Sequence, residues 1–314
     1  MCLNQEKMST TAQPKPTGTT PPHLELFYPT TLKRRILHEL ADYECLTVCD
    51  LALHIYGNAT KPRQFAVNRA LWKLNDKVNR VEYGDAPNER GSKPYAYGLS
   101  ERGVEYARDK CPDSDPVLFG KGHSTLTVGH EILRARTHYA IKQLCDGNQW
   151  EVAWKKSVNG RKPVFDDYFV VKSNLLPENE NRLYFLLEKE RRKKDFGQLL
   201  EKVQGYERIW NTEEARRRFG SPKFYIIFQF ENKTRMDNFV EYLAGICNCQ
   251  MRHGKVHHTC LSPENKKRPT EPIRRSKFWF TTDEQMFSNP GGDIFITPKD
   301  YQQLKHSFAG GFRQ

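Results

Sequence analysis

No apolar run in the chain approaches the roughly 18 residues that a membrane-spanning helix needs, so insertion into a bilayer is not expected. The N-terminus lacks the apolar core of a secretory signal. The 8 cysteines are scattered, and most fall in expected helices, which suits a reducing cytoplasm better than a disulfide framework. There is no Gly-x-x-x-x-Gly-Lys-[Ser/Thr] loop, which argues against P-loop nucleotide hydrolysis. No internal repeat is visible, and the 37% hydrophobic content is ordinary for globular cores.

What is present is length and positive charge. The 314 residues suggest two domains, and 50 Lys+Arg against 38 Asp+Glu give a formal net charge of +12. That sign favours an anionic partner, with nucleic acid the first candidate and a basic but otherwise ordinary enzyme the plainer reading. Residues 1–30 are rich in Thr, Pro and Gln without periodicity and read as a disordered tail.

Residues 31–112 read as a winged helix-turn-helix. Thr31 is expected to cap a first helix with Leu32, Ile36, Leu37 and Leu40 inward. Thr47 is expected to cap a second, which Gly57 and Asn58 end. A third helix is expected from Pro62 to about Asn75, with Phe65, Val67, Ala70, Leu71 and Leu74 as its apolar set. Val78–Tyr83 and Tyr95–Leu99 then form a hairpin around a polar loop, and Ser100 caps a last short helix. The stretch from Lys61 to Val81 carries Lys61, Arg63, Arg69, Lys73, Lys77 and Arg80 against one acid, Asp76. With Gln64 and Asn68 it supplies side chains for base edges and phosphates of double-stranded DNA. A solvated helix face, or a winged helix used for protein contacts, is the plainer alternative.

Residues 113–126 are expected to link this domain to a second, 127–314. The second begins with a long helix from about Thr127 to Cys145. Strands are expected at Trp150–Val158, before an Asn159-Gly160 turn, and at Val164–Val171, Leu183–Leu187 and Lys223–Phe230, with a helix at Met236–Ala244. The fold class is therefore mixed: an α/β sandwich around a short mixed sheet behind a winged helix. KFWFT (Lys277–Thr281) and DIFIT (Asp293–Thr297) are candidate late strands. Cys247, Cys249, His253, His257, His258 and Cys260 are of zinc-binding types, but their spacing holds no Cys-x-x-Cys pair and ordinary loop residues are the preferred reading.

The chemistry centres on Leu183–Trp210. Five apolar residues read as a strand buried on both faces, and Glu188 and Glu190, two apart, leave it on the same side. A basic run follows at Arg191–Lys194. On the next helix Phe196, Leu199, Leu200, Val203, Tyr206 and Trp210 share a face, with Lys202 at its edge and within reach of the glutamates. Asp166 and Asp167 lie on the preceding strand. Taken singly, each glutamate reads as a strand-end salt bridge with Lys189 or Arg191, and Asp166 as a turn acid. Together, Asp166, Glu188 and Glu190 supply hard oxygen ligands for Mg²⁺ or Mn²⁺, and Lys202 offsets their repulsion or stabilises charge at a phosphate.

An acid, an E-x-E after an apolar strand, and a helix with K-x-x-x-Y resemble the replication-relaxation family, most closely the MOBC class of plasmid and conjugative-element relaxases. The resemblance covers about residues 31–245 and is carried by PVFDDYFVV, LYFLLEKERR and Lys202 with Tyr206. It implies a PD-(D/E)XK nuclease-like α/β domain behind the winged helix. It also implies metal-dependent nicking of one DNA strand at a transfer or replication origin without a tyrosine nucleophile. Accessory mobilisation or coupling proteins would be partners. Asp166 takes the first acid position, with Asp167 its rival. Glu190 stands where a plain PD-(D/E)XK nuclease has lysine, so Lys202 must serve from the helix. The alternatives are a sequence-specific DNA-binding protein with an inactive nuclease fold, and a restriction-type endonuclease. A tyrosine relaxase is disfavoured, because Val256-His257-His258 is not its His-hydrophobic-His motif.

Overall fold

The structure is a computed structural model. It describes residues 29–83, 94–112, 114–120, 122–155, 165–178, 180–190, 196–243, 250–252, 255–257, 277–298 and 306–307. Residues 1–28 of the expected tail, the loop 84–93, the Asn159-Gly160 turn, the basic run Arg191–Lys194 and most of the Cys/His cluster lie outside these residues. The described part is mixed α and β, and it forms two compact units that divide between Arg136 and Thr137.

In the first unit α1 (Pro29–Asp42) precedes β1 (Leu46–Thr47), α2 (Val48–Tyr56), α3 (Lys61–Trp72), β2 (Val78–Glu82), β3 (Tyr95–Leu99) and α4 (Glu101–Lys110). The strands form an antiparallel sheet in the order β1-β3-β2. Thr47 caps α2 with a reciprocal box: its hydroxyl accepts from Asp50 N at 3.1 Å, and Asp50 accepts from Thr47 N at 3.2 Å. Gly57 ends α2 at φ 72°, its N–H bonded to Leu53 O. Ser100 accepts from Gly103 N to start α4.

Two expectations need correction. Thr31 lies inside α1, which starts at Pro29, so it is not the residue before the helix. Phe65 is not an inward residue of α3: it is 69% exposed, while Val67, Ala70, Leu71 and Leu74 are buried. At 100° per residue Phe65 stands opposite Val67 and Ala70, and the buried stripe is complete without it.

The core of this unit joins Ile36, Leu37 and Leu40 of α1 to Leu51 and Ile55 of α2 and Val67 and Leu71 of α3. Phe119 of the expected linker is fully buried in a second, smaller cluster with Cys45, Ala96, Val128 and Ile132. A Cβ on Gly98 would stand 2.4 Å from Phe119 and from Glu44 O, so only glycine lets β3 pass there. α5 (Thr125–Gly147) begins in this unit, where Arg136 Nε donates to the buried Asp50 at 2.7 Å.

The second unit is built on a five-stranded sheet. In chain order its elements are β4 (Trp150–Lys155), β5 (Asp167–Ser173), β6 (Arg182–Glu190), α6 (Phe196–Ile209), α7 (Glu213–Phe219), β7 (Tyr225–Phe230) and α8 (Lys233–Leu243). A small hairpin, β8 (Gln250–Arg252) with β9 (Lys255–His257), precedes β10 (Phe278–Thr282) and α9 (Asp283–Ser288). The sheet order is β10-β7-β6-β5-β4, with β6, β7 and β10 mutually parallel and β4 and β5 joined antiparallel. β6 is thus the central strand. DIFIT contributes only isolated bridges, Phe280 to Ile296 and Phe295 to His306.

Alternation along each strand divides the core in two. Leu186, Ile226, Phe228 and Phe280 pack with α6 and α8, through Leu199, Val203, Tyr206, Phe239 and Val240. Phe185, Leu187, Ile227 and Trp279 pack with Ile141, Leu144 and Cys145 of α5. No helix among the described residues is long and apolar enough to cross a membrane.

Candidate functional site

β6 stays apolar through Leu187 and then carries polar residues that are still buried. Glu188 and Glu190 are 0% and 1% exposed. Both lie on the α6 side, as the two-residue period requires, and Lys202 reaches across from α6 to meet them. Its ammonium donates to Glu188 Oε2 and stands 3.5 Å from Glu190 Oε1. The Tyr206 hydroxyl, one turn further along α6, donates to the other Glu188 oxygen. Asp166 precedes β5 and is half-buried. Its N–H donates to Leu187 O at 3.1 Å, and its Oδ2 accepts from Lys189 N at 2.7 Å, which extends the β5–β6 ladder by one residue.

Burial pushes the Glu188 carboxyl up to about 7; the Asp166 charge adds to this, while Lys202 and the hydroxyl of Tyr206 oppose it. Burial alone would lower the Lys202 ammonium, but Glu188 beside it outweighs that, and with Glu190 and Asp166 it holds the group above the usual lysine range. Burial and the Glu188 charge together hold the Tyr206 phenol well above its ordinary value. The expected quartet of Asp166, Glu188, Glu190 and Lys202 is therefore gathered at one end of the sheet.

Three carboxylates are the right donor type for a hard divalent cation. Their present arrangement is closed, however. Among the described residues no group of three His, Cys, Asp or Glu side chains could hold a metal ion. The Lys202 ammonium supplies the positive charge between Glu188 and Glu190, and it must give way before a cation can reach both.

The opposite face at the same sheet end was not legible from motif spacing. Asp167 turns away from Asp166, is buried, and meets His138 Nε2 at 3.1 Å. The His138 ring stacks on Trp154 at 3.5 Å between centroids. Lys189, Gln229 and Thr281 lie side by side on β6, β7 and β10 and are all buried. Gln229 accepts from the Thr137 hydroxyl at 3.0 Å and donates to Asp283 at 2.8 Å. The available signal was parity: in Leu187-Glu188-Lys189-Glu190, alternate residues must face opposite ways.

In the first unit the expected DNA-facing residues separate into two groups. Arg63 and Gln64 are spent on the α2–α3 turn, where Arg63 Nη1 donates to Tyr56 O at 2.9 Å and Gln64 donates to Ala59 O. Lys61, Asn68, Arg69 and Lys73 are exposed along α3, and they share that side with the 69%-exposed Phe65 and the 75%-exposed Trp72. Arg80 is exposed on β2 with its guanidinium 4.9 Å from the centroid of the Tyr95 ring. No protein-family model, no curated protein and no solved structure matches the chain.

Proposed function

We propose that the chain is a metal-dependent DNA endonuclease that nicks one strand at a plasmid or conjugative-element origin, as the resemblance to MOBC relaxases implies. The observation that carries this reading is the convergence of Asp166, Glu188, Glu190 and Lys202 at the end of the central strand of a mixed sheet. That placement brings together two adjacent strands and the helix that follows them, so it goes beyond the E-x-E spacing. In this reading the second unit is a PD-(D/E)XK-like nuclease domain. The helix–strand–helix–helix–hairpin order of the first unit supports reading it as a winged helix, which would bring the chain to DNA.

Asp166, Glu188 and Glu190 would hold Mg²⁺ or Mn²⁺, which supplies activation of water and stabilisation of charge on the phosphorane oxygens. Lys202 offsets the repulsion of the three acids while the site is closed, and it offers a cation to a phosphate once displaced from Glu188. Tyr206 fixes the Glu188 carboxylate through its hydroxyl and serves as a positioning residue, not a nucleophile. Asp166, the least buried of the acids, is the natural point of entry.

A second reading has its own support: a DNA-binding protein whose nuclease fold does not cut. The closed arrangement of Lys202 and Tyr206 around Glu188 favours it. The test is conversion of supercoiled plasmid, carrying DNA from the protein's own element, to open circles in Mg²⁺ or Mn²⁺. Loss of nicking in both Asp166→Ala and Glu188→Ala supports the endonuclease. Linear product from any plasmid points to a restriction-type enzyme, and specific binding without cleavage supports the second reading.

A further inference from the structure

The exposed side of α3 is unlike a surface built only to read a duplex. Lys61, Phe65, Asn68, Arg69, Trp72 and Lys73 lie along it with the spacing 0, 4, 7, 8, 11, 12, which is one helical stripe. Two large aromatics stand on it, Phe65 one turn from its start and Trp72 at its end, 69% and 75% exposed. Three of the six residues are cations, and α3 carries no acid. Among the side chains suited to base edges, Arg63 and Gln64 are bonded back to Tyr56 O and Ala59 O, which leaves Asn68 and Arg69. In a duplex, neighbouring pairs cover the faces of each base, and the major groove shows only edges. Aromatic rings flanked by cations fit bases whose faces are open.

We infer that the exposed side of α3 binds single-stranded or locally unpaired DNA, with Phe65 and Trp72 stacking on bases and Lys61, Arg69 and Lys73 facing phosphates. Phe65 and Trp72 are seven residues apart, about 10.5 Å along the helix axis. Bases along a strand stand about 3.4 Å apart, so the two rings bracket about three base steps. The inference rests on the DNA-binding part of the proposed function and is independent of cleavage. It makes an exposed strand, as in a melted origin or a hairpin loop, the form of DNA that this unit recognises.

The test uses the full chain in metal-free buffer, so that cleavage does not enter. The probes are a fluorescent dT oligonucleotide and the dA·dT duplex of equal length; stacking tolerates any base, so the natural target is not needed. The expected result is preferential binding of the single strand. Phe65→Ala and Trp72→Ala should each weaken it about tenfold or more, while Trp72→Phe, which keeps a ring, binds nearly as well. Binding should also quench tryptophan emission in the native protein, and Trp72→Phe should remove most of that quenching. Changing Lys61, Arg69 and Lys73 to Gln should weaken both probes and flatten the salt dependence.

Several results would overturn the inference: no single-strand binding, aromatic variants that bind unchanged, or equal losses on strand and duplex. Self-association abolished by Phe65→Ala would overturn it too, by making the rings a protein interface. If single strands are not bound while origin plasmid is still nicked, the inference fails and the nuclease reading stands. If stacking is found without nicking, the reverse holds.

Discussion

On β6, Glu188 and Lys189 are neighbours that point to opposite faces of the sheet, and both are buried. On the α6 face, among the described residues, Asp166, Glu188 and Glu190 lie around Lys202, and burial leaves Glu188 with its carboxyl pushed up to about 7. On the α5 face the buried cation Lys189 lies in a row with Gln229 and Thr281, Asp167 meets His138, and Gln229 bridges Thr137 and Asp283. Among the described residues, one face therefore gathers more negative than positive charge, which a cation would relieve. The other holds no comparable excess, and reads as a polar network that fixes α5 and α9 to the sheet. A site that binds a metal has reason to keep an unbalanced charge, whereas a purely structural network has reason to remove it.

The largest effect that would sharpen this contrast comes from removing the shared lysine. Lys202→Met leaves Glu188, fully buried, with only the Tyr206 hydroxyl as a described donor. Breaking a buried pair from one side typically costs about 3–5 kcal/mol, and urea denaturation of the apo protein at pH 8 should show a loss of that order. The cost should shrink at pH 5, where the carboxyl is protonated. If Lys202→Met is as stable as the native protein at pH 8, the acids of this face do not carry an excess of charge.

The pH dependence follows from the same group. The Glu188 carboxyl is raised from an ordinary 4.5 to about 7 in the folded protein, so folding takes up a proton between these values. The stability it contributes is fully present below about pH 4.5, declines as pH rises, and is gone above about pH 7. Glu188→Gln has no such proton, so its stability relative to the native protein should improve from pH 5 to pH 8. Thermal melts of the two proteins across that range check it, and parallel curves would rule it out.

Asp166 and Asp167 test the two faces directly. Asp167→Asn weakens the contact with His138 in a buried setting and should cost about 1–3 kcal/mol, with nicking of origin plasmid intact at a temperature where the variant is folded. Asp166→Asn keeps a side-chain oxygen to accept from Lys189 N, so its stability should change by less than about 1 kcal/mol, while nicking is lost. The opposite pattern would move the first acid to the α5 face, beside His138 and Lys189.

Much of this was legible in the sequence, for physical reasons that differ by residue. The run Leu183–Leu187 announced a strand buried on both faces, and the strict two-residue period then fixed Glu188 and Glu190 to one side. The face of α6 and the edge position of Lys202 followed from 3.6 residues per turn. Thr47 and Gly57 marked both ends of α2 through backbone chemistry that needs no tertiary context. At Phe65 hydrophobicity and burial part, because Val67, Ala70 and Leu71 already fill the inward stripe of α3. Arg63 and Gln64 were legible as polar side chains, but their bonds back to the chain were not, since the acceptors, Tyr56 O and Ala59 O, are set by the turn. The choice between Asp166 and Asp167 needed the register of β5 against β6, and the polar row Lys189–Gln229–Thr281 needed the pairing of three strands.

The smallest expected effect on nicking among the α6-face variants belongs to Tyr206. Its hydroxyl donates to the Glu188 oxygen that Lys202 does not take, so Tyr206→Phe removes one donor and no volume of ring. Glu188 keeps Lys202, and the loss should be about 1–2 kcal/mol, below that of Lys202→Met. The carboxyl should also rise further, because a bond to its charged form is gone, and the pH at which stability stops declining should move up with it. On the proposed mechanism nicking survives in this variant, slowed by a looser Glu188, since the phenol does not attack the phosphate. A Tyr206→Phe protein that binds origin DNA and cuts no trace of it would make the tyrosine a participant, and would break the assignment of the chemistry to the acids and the lysine alone.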